Sequence, residues 1–246
     1  MKNLTDKIAL VTGGSRGIGA AIAKKLAAEG AYVVFTYERS SEKADSVVAE
    51  IEAVGGVAIA QKADNAVPSE ITDAVAKTIA DFGHIDIVVN NAGIYLGKAF
   101  EEHTLDDYNR IMNINVTAVF VATLAAVKGM PDGGRIITIG SNMGDNAGRA
   151  RTTLYTMSKS ALQGFTRGLA HDLGSREITV NLVQPGPTDT DMNPADALHA
   201  DFLRSRMALP EYGTVEDIAS LVNFLAGNEA KYITGSFLTI DGGMNA

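Results

Sequence analysis

The stretch "KIALVTGGSRGIGAAIAKKLAAEGA", residues 7–31, decides how this chain folds. A short apolar run, "IALV", closes on glycines, and the segment after the turn places Ile22, Leu26 and neighbouring alanines at helical spacing until Gly30 stops it. The unit reads as a strand, a glycine turn and a helix.

The same alternation continues outward. "AYVVFTY" is strand-like, 41–54 helical, "VAIAQKA" strand-like, 69–82 helical, "IDIVVN" strand-like, 105–127 helical and "RIITIG" strand-like. A helix carrying "LYTMSKSAL" (154–162) follows, then the strand "ITVNLVQ", a helix near 215–226 and a last strand "SFLTID". Strands this uniformly apolar suit a parallel sheet covered on both faces, so the expectation is an α/β, doubly wound Rossmann-type fold. No composition shift, repeat or low-complexity segment divides the chain, and residues 1–246 read as one domain. The irregular stretches 141–153 and 187–213 follow the fifth and sixth strands, where open parallel sheets bind ligands.

Composition narrows the function. The 246 residues carry 21 basic and 29 acidic side chains, a net charge of −8, and the basic ones are scattered rather than striped. Nucleic acid is therefore not expected as a partner. With no cysteine, thiolate chemistry and disulfides are excluded, which fits a reducing compartment. The four histidines, at 84, 103, 171 and 199, do not fall at metal-ligand spacing and read as surface residues, so no metal is assigned. The start "KNLTDKIALVTGG" lacks a secretory core and no run approaches the ~18 apolar residues of a membrane span. A cytoplasmic protein with no membrane partner is expected.

Within "TGGSRGIG" (12–19), Gly13 permits the sharp turn, Gly17 removes a side chain where a pyrophosphate approaches and Gly19 allows close packing of helix on strand. The reader of the adenosine ribose belongs ~20 residues beyond such a turn. Tyr37 stands there in place of the acid that binds a 2′-hydroxyl, and strand alternation turns Glu38 away. Arg16, Arg39, Ser40 and Ser41 suit a 2′-phosphate, which favours NADP(H) over NAD(H).

In "LYTMSKSAL" Tyr155 and Lys159 lie four apart, on one face of a helix. With the glycine turn and "NNAG" at 90–93, this pair makes the chain resemble the short-chain dehydrogenase/reductase family over essentially its whole length. The resemblance implies seven parallel strands, a homotetramer and NAD(P)-linked oxidoreduction of alcohols and carbonyls. It implies cofactor contacts from Gly13, Ser15, Arg16, Gly17, Ile18 and Gly19 in the turn, and from Asp64 and Asn65 after the third strand. Asn91, Ala92 and Gly93 follow the fourth strand, and "PGPTDTDM" brings Pro185, Gly186, Thr188 and Thr190 near the nicotinamide. It also implies a catalytic set of Asn115, Ser141, Tyr155 and Lys159. The chemistry agrees with that set. A carbonyl receiving a hydride needs a proton donor and a second hydrogen bond at its oxygen, roles that suit Tyr155 and Ser141. Lys159, one turn away, would lower the Tyr155 pKa and hold the nicotinamide ribose. By resemblance alone, Asn115 would hold a water linking Lys159 to solvent. The helix at 215–226 and the strand "GSFLTIDGG" resemble the family's assembly surfaces.

Ser141 precedes Tyr155 by fourteen residues, one more than in much of the family, so the loop 142–153 should bulge beside the substrate. Asn142 is a competing hydrogen-bond donor, and Arg149 and Arg151 read as solvent-exposed rather than as contacts to an anionic substrate. Tyr95, Leu96, Met143, Leu154 and the segment 188–209 offer a largely apolar pocket under a mobile lid. The first expectation is an NADPH-dependent carbonyl reductase acting on a small-molecule ketone. A 3-oxoacyl-(acyl carrier protein) reductase is the second, weakened by "KGMPDGG" at 128–134, where basic residues would dock the carrier; Arg176 remains as a contact. A third, of another class, rests on "YTMSKSALQGFTRGLAHDLG" and "VQPGPTDTDMNPA", which are similar to bacterial biofilm-dispersal proteins and imply binding of cyclic di-GMP.

Overall fold

A computed structural model describes residues 2–246. Strands β1 (Ile8–Val11), β2 (Tyr32–Tyr37), β3 (Val57–Lys62), β4 (Ile87–Asn90), β5 (Arg135–Ile139), β6 (Thr179–Pro185) and β7 (Phe237–Ile240) form one parallel sheet in the order β3-β2-β1-β4-β5-β6-β7. Helices α1 (Gly17–Ala28), α2 (Ser41–Ala53), α3 (Pro68–Phe82), α4 (Leu105–Met112), α5 (Ala118–Val127) and α6 (Thr153–Leu173) connect the first six strands. The short α7 (Ala200–Arg204) and then α8 (Val215–Ala226) lie between β6 and β7.

The uniform apolarity of the strands follows from burial on both faces. In β1, Ala9 and Val11 join the core under α1, α2 and α8, while Leu10 between them joins the core under α3, α5 and α6. β2 divides likewise, with Val33 and Phe35 on the first face and Val34 on the second. Alternation still operates in these strands, but each face meets a helical layer, so neither set of positions can be polar.

Three expectations change. The predicted helix over 105–127 is broken by a wide turn, Asn113–Thr117, whose π-type hydrogen bonding separates α4 from α5. The same run, Leu105–Val127, is long and apolar enough to cross a membrane, with 44% of its apolar window buried in the fold. A count of consecutive apolar residues stops at Asn113 and Asn115 and misses it. Here Ala118, Ala122 and Ala126 of the run pack into the core shared with α3. His103 also departs from its expected surface position, since its imidazole is only 6% exposed.

The strand order places the site. β1 and β4 are neighbours, but the chain leaves them toward opposite edges of the sheet, and the carboxyl ends of the strands open into a crevice there.

Candidate active site

A cleft of about 610 Å³ runs along that crevice. One end is built by the glycine turn. Gly13 (φ +69) and Gly17 (φ +53) hold backbone angles that disfavour a side chain. A Cβ on Gly19 would lie 2.3 Å from the Gly13 carbonyl oxygen and 2.4 Å from Asn91 Nδ2, so the third glycine is required by the turn and by Asn91. Helix α1 has neither a side-chain cap nor an acidic residue in its first turn, which leaves its leading N–H groups to an anion. Ser15, Arg16, Ile18, Tyr37, Asp64 and Asn65 line this end, as the sequence implied. The cleft's size, the missing Cβ atoms and the bare helix terminus fit a dinucleotide.

Three details of the phosphate reading change. Arg39 and Ser40 are not among the residues lining the cleft. Arg39 lies beyond the end of β2, 80% exposed at its side chain, and its Nε donates to Glu38 at 2.7 Å. Glu38 itself lines the cleft, because strand alternation no longer applies once β2 has ended at Tyr37. Arg16 does line the cleft and pairs with Asp191 at 3.3 Å; Lys43, which is not among the lining residues, pairs with the same carboxylate at 3.3 Å, a contact sequence reasoning missed because α2 is remote from both motifs. These two cations hold the Asp191 carboxyl below its usual range, Lys43 more than Arg16.

At the other end stands the chemistry. The first residues of α6 bring Tyr155 and Lys159 to the floor of the cleft, beside Ser141 at the end of β5. Lys159 is buried, and its Nζ donates to the Ile139 carbonyl at 2.8 Å. Asn115, in the wide turn, does not line the cleft, because its side chain is fully engaged inside the protein. Its Oδ1 accepts from Ile94 N at 2.8 Å, and its Nδ2 donates to Ile94 O at 3.0 Å and to Ser158 Oγ at 3.0 Å. Asn115 thus clamps the loop after β4 to α6. Asn91, Ala92, Gly93 and Tyr95 of that loop line the cleft, as do Pro185, Gly186, Thr188 and Thr190 after β6.

The electrostatics differ from expectation. Burial pushes the Tyr155 phenol above its usual range; the neighbouring Ser141 hydroxyl and the Arg149 charge pull it back, while Tyr95 adds to the rise. Lys159 does not lower it here, because the ammonium is directed at Ile139 and lies 5.8 Å from the centre of the tyrosine ring. Burial also takes Lys159 down to about 8.

The substrate end is less apolar than expected. Leu96 and Leu154 do not line it; Leu154 is one position, ~100° of helix, from Tyr155 and is buried in the core. Met143, with Met192 and Leu203 of the expected segment 188–209, does supply an apolar wall, and Met244 adds to it. Asn142 lines the cleft, but its amide donates to Asp241 at 3.2 Å and its carbonyl accepts from Asn245 at 2.7 Å, so it is not free to compete with Ser141. The loop 142–153 runs beside the site, and Gly148 and Arg151 in it adopt positive φ. Arg149 lines the cleft while Arg151 turns out to Glu102 at 3.4 Å. Met244 and Asn245 had no sequence signal, since the chain returns them to the site only through β7.

Lys159 generates a pH signature. In the unfolded chain a lysine titrates near its ordinary 10.5, and in the fold near 8, so across that window the unfolded state binds more protons and folding gains stability as pH rises. Urea midpoints of the wild type should rise relative to those of Lys159→Met between about pH 8 and 10.5; parallel curves would show that Lys159 is not held deprotonated by the fold.

Comparison with known proteins agrees with this geometry. A family model described as enoyl-(acyl carrier protein) reductase matches residues 13–245. The cyclic-di-GMP-binding biofilm dispersal mediator protein of Escherichia coli (strain K12) is 45% identical, over 100% of this chain and 100% of that protein. The 3-oxoacyl-(acyl-carrier-protein) reductase of Synechocystis sp. (strain ATCC 27184 / PCC 6803 / Kazusa) is 43% identical, over 99% of each. The crystal structure of a blue fluorescent protein from a metagenomic library, in complex with NADPH, has a TM-score of 0.98 at 55% identity and covers 99% of this chain and 100% of that one. The glycine turn, the Tyr155/Lys159 helix and these likenesses along the whole length assign the chain to the short-chain dehydrogenase/reductase family.

Proposed function

We propose that the chain is an NADP(H)-dependent carbonyl reductase, moving a hydride between NADPH and a ketone or secondary alcohol. One observation carries the reading. Tyr155 and Ser141 line the same dinucleotide-sized cleft, with Lys159 one helical turn from Tyr155 along α6.

NADP(H) as the cofactor is supported by the NADPH complex of the similar structure and by Tyr37 where an acid would bind a 2′-hydroxyl. Arg16 is the cation lining this end of the cleft that can meet a 2′-phosphate, at the cost of its pairing with Asp191. When bound, the dihydronicotinamide supplies the hydride. The chain's own residues do the rest. Ser141 and Tyr155 hydrogen-bond the substrate oxygen, fixing the carbonyl and countering the charge that develops on it. Because burial keeps Tyr155 protonated, it delivers its proton as the oxygen becomes an alkoxide, a far stronger base than a phenolate. Lys159, with its amine in the cleft wall beside Gly93, holds the sugar of the cofactor. Asn115 keeps the Ile94 loop and α6 in register around it. Relay of the proton onward to solvent through an Asn115-held water remains a proposal from the family resemblance.

Two other readings have specific support. The Synechocystis relative suggests a carrier-protein substrate. Against docking before β5, Arg176 is already committed to Asp132 at 3.1 Å and to the Val127 carbonyl at 3.1 Å. The Escherichia coli relative suggests cyclic di-GMP as a ligand. The complete set of Asn115, Ser141, Tyr155 and Lys159 favours catalysis. For assembly we propose a homotetramer; Phe224 on α8, Tyr232 beside it, and Phe120 and Leu124 on α5 are large apolar side chains left exposed on the single chain.

Three measurements test these readings. Tyr155→Phe should lower kcat for ketone reduction by about 10²–10⁴-fold while leaving NADPH affinity nearly intact, and undiminished turnover would remove the tyrosine from the mechanism. In calorimetry NADPH should bind about tenfold or more tightly than NADH. Equal affinities would overturn the 2′-phosphate reading, and low-micromolar cyclic di-GMP binding without competition from NADPH would favour the regulatory one. Light scattering should return four times the mass of one chain; a monomer would refute the tetramer.

A further inference from the structure

The charged residues lining the cleft are divided unequally between its ends. Its carboxylates, Glu38, Asp64 and Asp191, all stand at the end built by the glycine turn, β2 and β3. At the other end the lining includes Arg149 and Arg206 and no carboxylate. In a chain of net charge −8, the substrate mouth is therefore locally positive.

These two guanidinium groups are placed but not neutralised. Arg149 comes from the loop after β5; its Nη2 donates to the Tyr95 hydroxyl at 3.2 Å, and its charge lies 5.4 Å from the centre of the Tyr95 ring. That ring in turn packs edge-on against Tyr155, with centroids 5.1 Å apart. Arg206 comes from the segment after α7 and donates through Nη1 to the Gly148 carbonyl at 2.6 Å, the residue next to Arg149. Among the described residues neither arginine has a carboxylate within 4.0 Å, whereas Arg151 and Arg204, their neighbours in sequence, pair with Glu102 and Asp201. Both residues are exposed, and each has an aromatic or carbonyl contact to orient it and further N–H groups that bond no protein atom. The guanidinium fork suits a planar anion.

We propose that Arg149 and Arg206 form an anion subsite, and that the enzyme selects carbonyl substrates carrying a carboxylate beyond the reacting carbon. This rests on the reductase reading above and adds the substrate class to it. The Tyr95 ring spans the distance between the two functions: its face and hydroxyl meet Arg149 while its edge meets Tyr155, so a bound oxo acid lies along it, with the ketone at Tyr155 and Ser141 and the carboxylate at the arginines. The loop 142–153 brings Arg149 to the cleft.

The test compares 4-oxopentanoate and 5-oxohexanoate with their methyl esters, using the full chain and NADPH. In the wild type kcat/KM should favour one or both acids over the matching ester by about tenfold or more, and the preference should shrink as sodium chloride is raised. In Arg149→Ala and in Arg206→Ala, made separately and checked for native circular dichroism, the acid-to-ester ratio should fall toward one, with Arg149→Lys retaining part of it. Esters reduced as well as the acids by the wild type, or a ratio unmoved in both alanine variants, would overturn the subsite while leaving the reductase reading intact. If no ketone, neutral or anionic, oxidises NADPH, the reductase reading fails and the subsite falls with it.

Discussion

The site depends on a small polar knot between β1 and β4. The Thr12 hydroxyl accepts from the backbone N–H of both Asn91 and Ala92, at 3.0 and 3.1 Å, and Asn91 Nδ2 returns to the carbonyls of Thr12 and Gly13 at 2.9 and 3.1 Å. Gly13 N then reaches across to Thr36 Oγ1 on β2 at 3.1 Å. These bonds join three adjacent strands at the point where the sheet changes winding direction, so the glycine turn and the loop after β4 keep one relative position. Polar groups in such a place are rigid only when satisfied together. The missing Cβ of Gly19 leaves room for the Asn91 amide to complete the knot.

From that knot a second chain of bonds reaches the reacting groups. The loop after β4 continues to Ile94, which Asn115 holds through both backbone groups, and Asn115 also binds Ser158 between Tyr155 and Lys159. Lys159 closes the circuit on Ile139 of β5. The cost of this rigidity is desolvation, which moves Tyr155 up and Lys159 down. Both shifts favour the neutral forms.

Most of the fold and the cleft's motifs were legible because local rules govern them. Apolar strands, glycines at 13, 17 and 19 and the Tyr155/Lys159 spacing each follow from a few neighbouring residues. What stayed hidden depends on residues distant in sequence. Arg39 pairs with its own neighbour Glu38 once β2 ends, while Lys43 reaches Asp191 over 148 positions. Leu154 adjoins Tyr155 in sequence yet is turned into the core by the helical rotation between them. Asn115 matched the family pattern, but its clamping of Ile94 needs the wide turn at 113–117, and no spacing rule foretold that turn.

The Asn142 contacts to Asp241 and Asn245 span 99 and 103 positions. The loop holding Ser141 is therefore braced by residues made after nearly everything else in the site. The knot does not share this dependence, since its own bonds run among Thr12, Gly13, Thr36, Asn91 and Ala92. Trimming the last few residues would accordingly loosen the loop beside Ser141 while leaving the bonds of the knot in place.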